Sequence, residues 1–102
     1  MVSKHYQGQR SKREKFIDEH FKYGYIVDEF IVDKRHPHGA ERHCIASNGI
    51  IIIFNLNSGK LVTKLIARVG QLKRYYYNFG RNPPSYLIDL ARKHESLGYN
   101  YI

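Results

Sequence analysis

Ionisable side chains suited to proton transfer are concentrated between residues 36 and 43. His36, His38 and His43 fall in this segment together with Glu41. Histidine is the side chain that most readily gains and loses a proton near neutral pH. Cleavage of a phosphodiester needs a base for the attacking hydroxyl, an acid for the leaving oxygen and cations for the developing charge. The cluster therefore indicates acid–base chemistry on a phosphodiester, or the plain binding of a polyanion.

The three histidines differ in their predicted settings. His36 and His38 belong to a loop, and we expect His36 to be an ordinary solvated residue. For His38 a solvated and a catalytic role are equally favoured. His43 falls on the strand after the loop and is favoured as a catalytic acid or base. Glu41 is predicted to act as a base or to orient a histidine.

Cationic side chains that would neutralise a phosphate follow on a later predicted strand. Alternation along this strand groups Lys60, Lys64 and Arg68 on one face, which we interpret as a substrate surface. Thr63 falls on the other face with aliphatic residues. It is therefore a core residue, unless a β-bulge shifts it into the catalytic site.

A second basic segment carries aromatic rings. Lys73 and Arg74 directly precede three tyrosines, Tyr75, Tyr76 and Tyr77. Rings beside cations can stack on unpaired bases while the cations hold phosphates. Tyrosines also fill half-buried positions with their hydroxyls in water, and we expect at least one of the three to do so. We predict that Lys73, Arg74 and Tyr75 bind the substrate.

Composition favours a single basic domain. The chain has 102 residues, 42% of them hydrophobic, with a formal net charge of +8 and a pI near 9.7. Such a charge favours a phosphate-bearing partner or an acidic protein. The longest apolar segment, Ile50 to Phe54, is too short to span a membrane. The basic N-terminal segment has no apolar stretch behind it, which argues against a secretory signal. The single cysteine, Cys44, excludes an internal disulfide and fits a reducing cytoplasm.

A metal site or a nucleotide cofactor is less favoured than acid–base chemistry. The spacings His-x-His and His-x4-His suit zinc, but they arise easily by chance among six histidines. The single cysteine also excludes a thiolate zinc cluster. Glycine-rich phosphate loops of the Walker or dinucleotide type do not occur in the sequence. We therefore predict no metal and no cofactor.

The elements that must position these residues form an α+β domain. Residues 1–10 are expected to be a flexible basic tail, and residues 11–102 a single domain. The patterns predict an N-terminal helix, a roughly four-stranded antiparallel meander and a C-terminal helix. The helices are expected over Ser11–Tyr23 and from Pro84 to Gly98, the strands over Tyr25–Asp33, Glu41–Ser47, Ile50–Asn55 and Lys60–Arg68, and Gly70–Gly80 is ambiguous between helix and loop.

The order of predicted elements is a helix and then a four-stranded antiparallel meander, with a histidine-rich entry and a late Gly-Lys-Leu-Val-Thr strand. This order resembles the barnase–EndoU–colicin–RelE superfamily of small nucleases. The toxin and phage-borne branches are the most similar, and the resemblance covers residues 25–77. It implies a metal-independent ribonuclease in which an RNA 2′-hydroxyl attacks its own phosphate and leaves a 2′,3′-cyclic end. It also implies proton transfer by His43 or His38, a site role for Thr63, and phosphate binding by Lys64 and Arg68.

The expected partner is RNA, cleaved by general acid–base catalysis. By analogy, an acidic immunity or antitoxin protein would then protect the host. The alternative is a non-catalytic basic protein of phage type that binds nucleic acid or an acidic protein as an inhibitor or accessory factor. Charge and tyrosines alone suffice for that alternative, which predicts salt-dependent binding without turnover. A weaker third interpretation is a structural protein of a larger assembly, which predicts an exposed apolar patch and self-association.

Overall fold

A four-stranded antiparallel sheet lies between one helix on one face and two helices on the other. The computed structural model describes residues 4–33 and 39–101, with side chains from residue 12 onward. The elements are α1 (Lys4–His20), β1 (Ile26–Val32), β2 (Glu41–Ala46), β3 (Ile50–Asn55), β4 (Leu61–Ile66), α2 (Val69–Asn78), α3 (Ser85–Ser96) and a short 3₁₀ turn (Tyr99–Tyr101). The strands are ordered β1-β2-β3-β4. The predicted α+β class, meander and terminal helices are confirmed.

The main core lies between the sheet and the two C-terminal helices. Alternate residues of the strands point to this face, where Phe30, Ile45, Ile51 and Ile53 are buried. They pack against the apolar side of the two helices, which supplies Leu72, Tyr76, Leu87 and Ala91. Because successive strand residues point to opposite faces, Glu41 and His43 share the face of Ile45 and lie under α2.

A smaller core on the opposite face holds α1 against the sheet. Ile17 packs there against Ala46, Ile50 and Ile66. The helix begins at Lys4, seven residues before the predicted start at Ser11. The intervening segment is rich in lysine, glutamine and arginine, which have good helix propensity, so no capping residue is needed for the helix to extend through it.

Tight connections set the register of the sheet. The β2–β3 turn closes with a hydrogen bond from Gly49 N to Ala46 O at 3.0 Å. Gly49 has a φ of +86°, which glycine adopts without strain. The predicted Asn48-Gly49 hairpin is therefore confirmed. In β4 the pairing with β3 is irregular near Leu61 and Val62, yet Thr63 still lies opposite Ile53 on the main-core face.

The ambiguous segment after the sheet is a helix, α2. Its apolar residues Leu72 and Tyr76 recur four residues apart and are both buried. Residues 34–38, which include His36 and His38, lie outside the described residues, so the predictions for these two histidines are not tested. Among the residues that are described, no helix is both long and apolar enough to cross a bilayer.

Candidate active site

His43, Glu41 and Tyr75 form a buried chain of hydrogen bonds between the sheet and α2. The side chains of Glu41 and His43 are both 7% exposed, and Glu41 Oε1 lies 3.0 Å from His43 Nε2. The other ring nitrogen, Nδ1, is hydrogen-bonded to the hydroxyl of Tyr75. The two strand residues are two positions apart on one face, whereas Tyr75 comes from a helix that follows the sheet.

The chemistry of the three groups determines which atom donates in each hydrogen bond. An ionised carboxylate only accepts hydrogen bonds, so with Glu41 ionised the His43 proton resides on Nε2 and is donated to Glu41. His43 Nδ1 then has a free lone pair and accepts the Tyr75 hydroxyl proton. The carboxylate thus fixes the imidazole tautomer, and the imidazole is ready to take a proton from the phenol.

Tyr75 stays protonated at neutral pH. Burial, together with the negative charge of Glu41, raises the pKa of its phenol to about 12. Its ring stacks on Phe30 with centroids 5.5 Å apart, which fixes its direction. A free phenolate is therefore disfavoured, and Tyr75 can act as a base only if its own proton moves to His43 at the same time.

A cavity of about 400 Å³ opens beside this chain, and we call it the tyrosine cavity. Both His43 and Tyr75 line it, and Arg74 lies in its wall. Its remaining lining comes from β1, α2 and the residue that follows each of them: Ile31, Val32, Asp33, Gln71, Asn78 and Phe79. Gln71, Arg74, Tyr75 and Asn78 occupy spacings of three and four residues, which place them on one side of a helix. The arrangement places the His43–Tyr75 pair beside one positive and one negative side chain, Arg74 and Asp33.

The predicted strand cations do not gather at this cavity. Strand β4 spans only Leu61–Ile66, so Lys60 lies in the preceding turn and Arg68 beyond the other end. Lys64 points to the α1 face and pairs with Asp18 at 3.2 Å, on the side of the sheet opposite His43. Arg68 lies at the start of α2, where its Nη2 donates to Asn100 O at 3.2 Å.

Thr63 supports a basic residue that the sequence analysis did not select. Its hydroxyl accepts a hydrogen bond from Arg13 Nη2 at 2.7 Å, and Arg13 Nε donates to Lys64 O at 2.9 Å. The threonine is buried, whereas Arg13 extends from α1 across the edge of β4. Thr63 therefore positions a cation at the sheet edge.

The three consecutive tyrosines occupy three different environments. Tyr75 lies beside His43, Tyr76 is fully buried in the main core, and Tyr77 is 57% exposed. The Tyr76 hydroxyl donates to Asp28, which also pairs with Arg81 at 2.8 Å. The expectation that at least one of the three fills a buried position is confirmed by Tyr76. Lys73, on the same helix, is exposed to solvent.

Gln71 and Asn78 were missed because the segment around them was not assigned to a helix. Once α2 is recognised, their spacing from Arg74 places them on the same side of it. Arg13 had no comparable signal, since only packing of α1 on β4 brings it to Thr63. Within the described part of the chain, no three His, Cys, Asp or Glu side chains are grouped closely enough to hold a metal ion.

Comparisons with protein-family models, with curated proteins and with solved structures each give no significant match to this chain.

Proposed function

We propose that this protein is a metal-independent ribonuclease that cleaves RNA by general acid–base catalysis. The observation that carries the proposal is the Glu41–His43–Tyr75 hydrogen-bond chain, which borders a cavity with Arg74 in its wall. A net charge of +8 supports a polyanionic substrate. The single cysteine, which is buried, suits work in a reducing cytoplasm.

In the proposed reaction the chain of hydrogen bonds acts as the base. The RNA 2′-hydroxyl gives its proton to the Tyr75 oxygen while the Tyr75 proton moves to His43 Nδ1. The 2′-oxygen then bonds to phosphorus, and Glu41 stabilises the resulting imidazolium. The bond from phosphorus to the 5′-oxygen breaks, and the relay returns the proton to that oxygen, leaving a 2′,3′-cyclic phosphate. Arg74 neutralises the charge that develops on the phosphate.

The alternative is a non-catalytic protein that binds nucleic acid. Both ring nitrogens of His43 are hydrogen-bonded and the ring is almost fully buried, which also suits a purely structural histidine. This alternative requires salt-dependent binding without turnover.

A cleavage assay with labelled RNA and single-stranded DNA in EDTA distinguishes the two functions. We expect the natural chain to cut RNA alone, and the His43→Ala and Tyr75→Phe variants to lose about 100-fold or more in rate, as is usual for loss of an acid–base group. Tyr77→Phe, on the exposed side of the same helix, is the matched control and should cut normally. RNA binding without cleavage by the natural chain would establish the alternative.

A further inference from the structure

A second cavity, of about 480 Å³, lies where the edge of β4 meets the first turn of α2. We call it the arginine cavity. Arginines from three separate parts of the chain line it: Arg13 from α1, Arg68 before α2 and Arg74 within α2. Glu95 contributes the carboxylate, so the charged side chains of this lining carry a net charge of +2 (three arginines and one glutamate). The fold thus brings Arg13, which is distant in the sequence, to the same concave surface as Arg68 and Arg74.

Contacts with neighbouring residues hold two of the guanidinium groups in place. Arg13 is fixed by its bonds to Lys64 O and Thr63 Oγ1. Arg68 donates to Asn100 O, and its guanidinium carbon lies 5.3 Å from the centre of the Tyr101 ring. A cation that is already positioned loses little side-chain entropy when it binds a ligand, which favours a specific anion site.

The start of α2 adds to the positive potential of the same cavity. Gly70, in the first turn of α2, lines the cavity, and a side chain added to it would meet nothing within 4 Å. The first turn of a helix exposes backbone N–H groups and the positive end of the helix dipole. Glu95 Oε2 lies 3.4 Å from Val69 N and occupies one of these donors.

The arginine cavity and the tyrosine cavity share a wall. Gln71 and Arg74 line both of them. A strand with one phosphate at Arg74 in the tyrosine cavity can therefore continue over α2 into the arginine cavity. Arginine is the side chain best suited to such phosphate contacts, because its planar fork can bind two oxygens at once.

We infer that the arginine cavity is a second phosphate subsite, which holds a flanking phosphate of the same RNA strand whose scissile phosphate lies in the tyrosine cavity. The inference rests on the proposed ribonuclease function for the identity of the strand. It names the substrate as single-stranded RNA that extends beyond one phosphodiester, and it assigns to Arg13 and Arg68 a part in binding.

The test places a negative charge at Gly70 in the 102-residue chain. An aspartate in the first turn is compatible with the helix dipole but repels a phosphate in the cavity, so we expect Gly70→Asp to stay folded and to bind phosphate more weakly. Gly70→Ala measures the effect of added bulk alone. Arg68→Gln removes one cation, and Arg92→Gln is its matched control, since Arg92 is exposed on α3 and pairs with Asp89.

Two readouts are needed for each variant. The first is anisotropy of a fluorescent single-stranded oligonucleotide with 2′-deoxy sugars, which cannot undergo 2′-hydroxyl attack. We expect Gly70→Asp to bind the oligonucleotide about 10-fold or more weakly than Gly70→Ala. Arg68→Gln should bind more weakly than Arg92→Gln. The slope of log affinity against log salt concentration should also be smaller by about 0.7 in Arg68→Gln, the value for one lost phosphate contact. The second is kcat/KM for RNA cleavage, measured on two substrates. One is a dinucleotide with a single phosphodiester, and the other is a longer strand. Arg68→Gln should lower kcat/KM for the longer strand only.

Equal binding by Gly70→Asp and Gly70→Ala, together with equal binding by the two arginine variants, overturns the subsite. Equal loss on the dinucleotide and the longer strand also overturns it, because a flanking contact has no role in the shorter substrate. If the natural chain cleaves no RNA, the ribonuclease proposal fails, and the binding readout still decides whether the cavity holds a phosphate.

Discussion

At the scale of single residues, Tyr75 is the side chain that links the buried histidine of the candidate site to a substrate in the proposed reaction. His43 is the most suitable proton acceptor in the sequence, yet both of its ring nitrogens are engaged, one by Glu41 and one by the Tyr75 hydroxyl. Any proton that reaches His43 from Tyr75 passes through that hydroxyl. The sequence pattern predicts that Tyr75 binds the substrate, and its hydrogen bond to His43 adds a proposed part in proton transfer.

Replacing Glu41 by glutamine tests the carboxylate without changing the size of the side chain. An amide cannot stabilise the imidazolium by charge, so we expect the RNA cleavage rate to fall by about 10- to 100-fold, which is less than the usual loss of about 100-fold or more when the acid–base group itself is removed. The pKa of the Tyr75 phenol should also fall below its value of about 12, since Glu41 contributes to raising it. Single-turnover cleavage and ultraviolet titration of the phenols measure the two effects.

Glu29→Gln is the matched control for that change. Glu29 lies on β1 with its side chain 47% exposed, and it pairs with Arg42 at 4.0 Å rather than with His43. Its replacement should leave both the cleavage rate and the Tyr75 titration unchanged. If the Glu41 and Glu29 variants behave alike, the carboxylate does not assist His43.

At the scale of elements, the turn between β2 and β3 is packed against α3. A methyl group added to Gly49 would lie 3.2 Å from Cε1 of His94. Gly59, in the turn between β3 and β4, has a similar φ of +72° but faces open space. The two glycines therefore share the need for a left-handed backbone and differ in what surrounds them.

We expect Gly49→Ala to destabilise the fold more than Gly59→Ala. Both substitutions place a side chain in the left-handed region, at a cost of about 1–2 kcal/mol in the free energy of unfolding. Gly49→Ala also forces His94 to move, and overpacking of this kind adds about 1–3 kcal/mol. Urea unfolding of the two variants measures the difference. Equal losses would show that the contact between turn and helix has no energetic role.

At the scale of the whole molecule, His94 lies where α3, α1 and the 3₁₀ turn meet. The residue is 6% exposed, and its ring packs against Phe21 and Tyr99, with centroids 4.9 Å and 5.6 Å away. Its buried Nδ1 has no hydrogen-bond partner among the described residues. Burial, with the positive charge of Lys93, lowers the pKa of His94 from its ordinary value of 6.5.

This lowered pKa predicts that the fold loses stability in mild acid. Below pH 6.5 the unfolded chain binds a proton at this histidine that the folded chain resists, so the free energy of unfolding falls as the pH falls from 6.5 towards the folded-state pKa. Above pH 6.5 both states are neutral at this site and the effect is absent. Unfolding measured at several pH values between 7 and 4 should show the decline.

Two histidine variants test whether His94 causes the loss of stability in mild acid. In His94→Gln the dependence on pH below 6.5 should weaken, because the titrating group is gone. His20→Gln, which removes an exposed ring from the end of α1, should retain the dependence of the natural chain. An unchanged profile in His94→Gln would place the titration elsewhere.

Much of the architecture follows from local patterns in the sequence. Alternation in the strands and the Asn48-Gly49 turn predict the meander, because a strand has a period of two and a tight turn requires a left-handed residue. The same alternation places Glu41 and His43 on one face. Helix α2 was harder to predict, since its run of three tyrosines carries no clear periodicity and only Leu72 and Tyr76 are buried.

The sequence by itself determined the α+β class, the antiparallel meander and the shared strand face of Glu41 and His43, since these depend on patterns among neighbours in the chain. Tertiary structure alone decided that Tyr75 meets His43 across 32 residues, that Lys64 faces away from it, and that Arg13 reaches Thr63. These contacts depend on how helices pack on the two faces of the sheet. Packing is set by the fit of whole surfaces, which local periodicity does not encode.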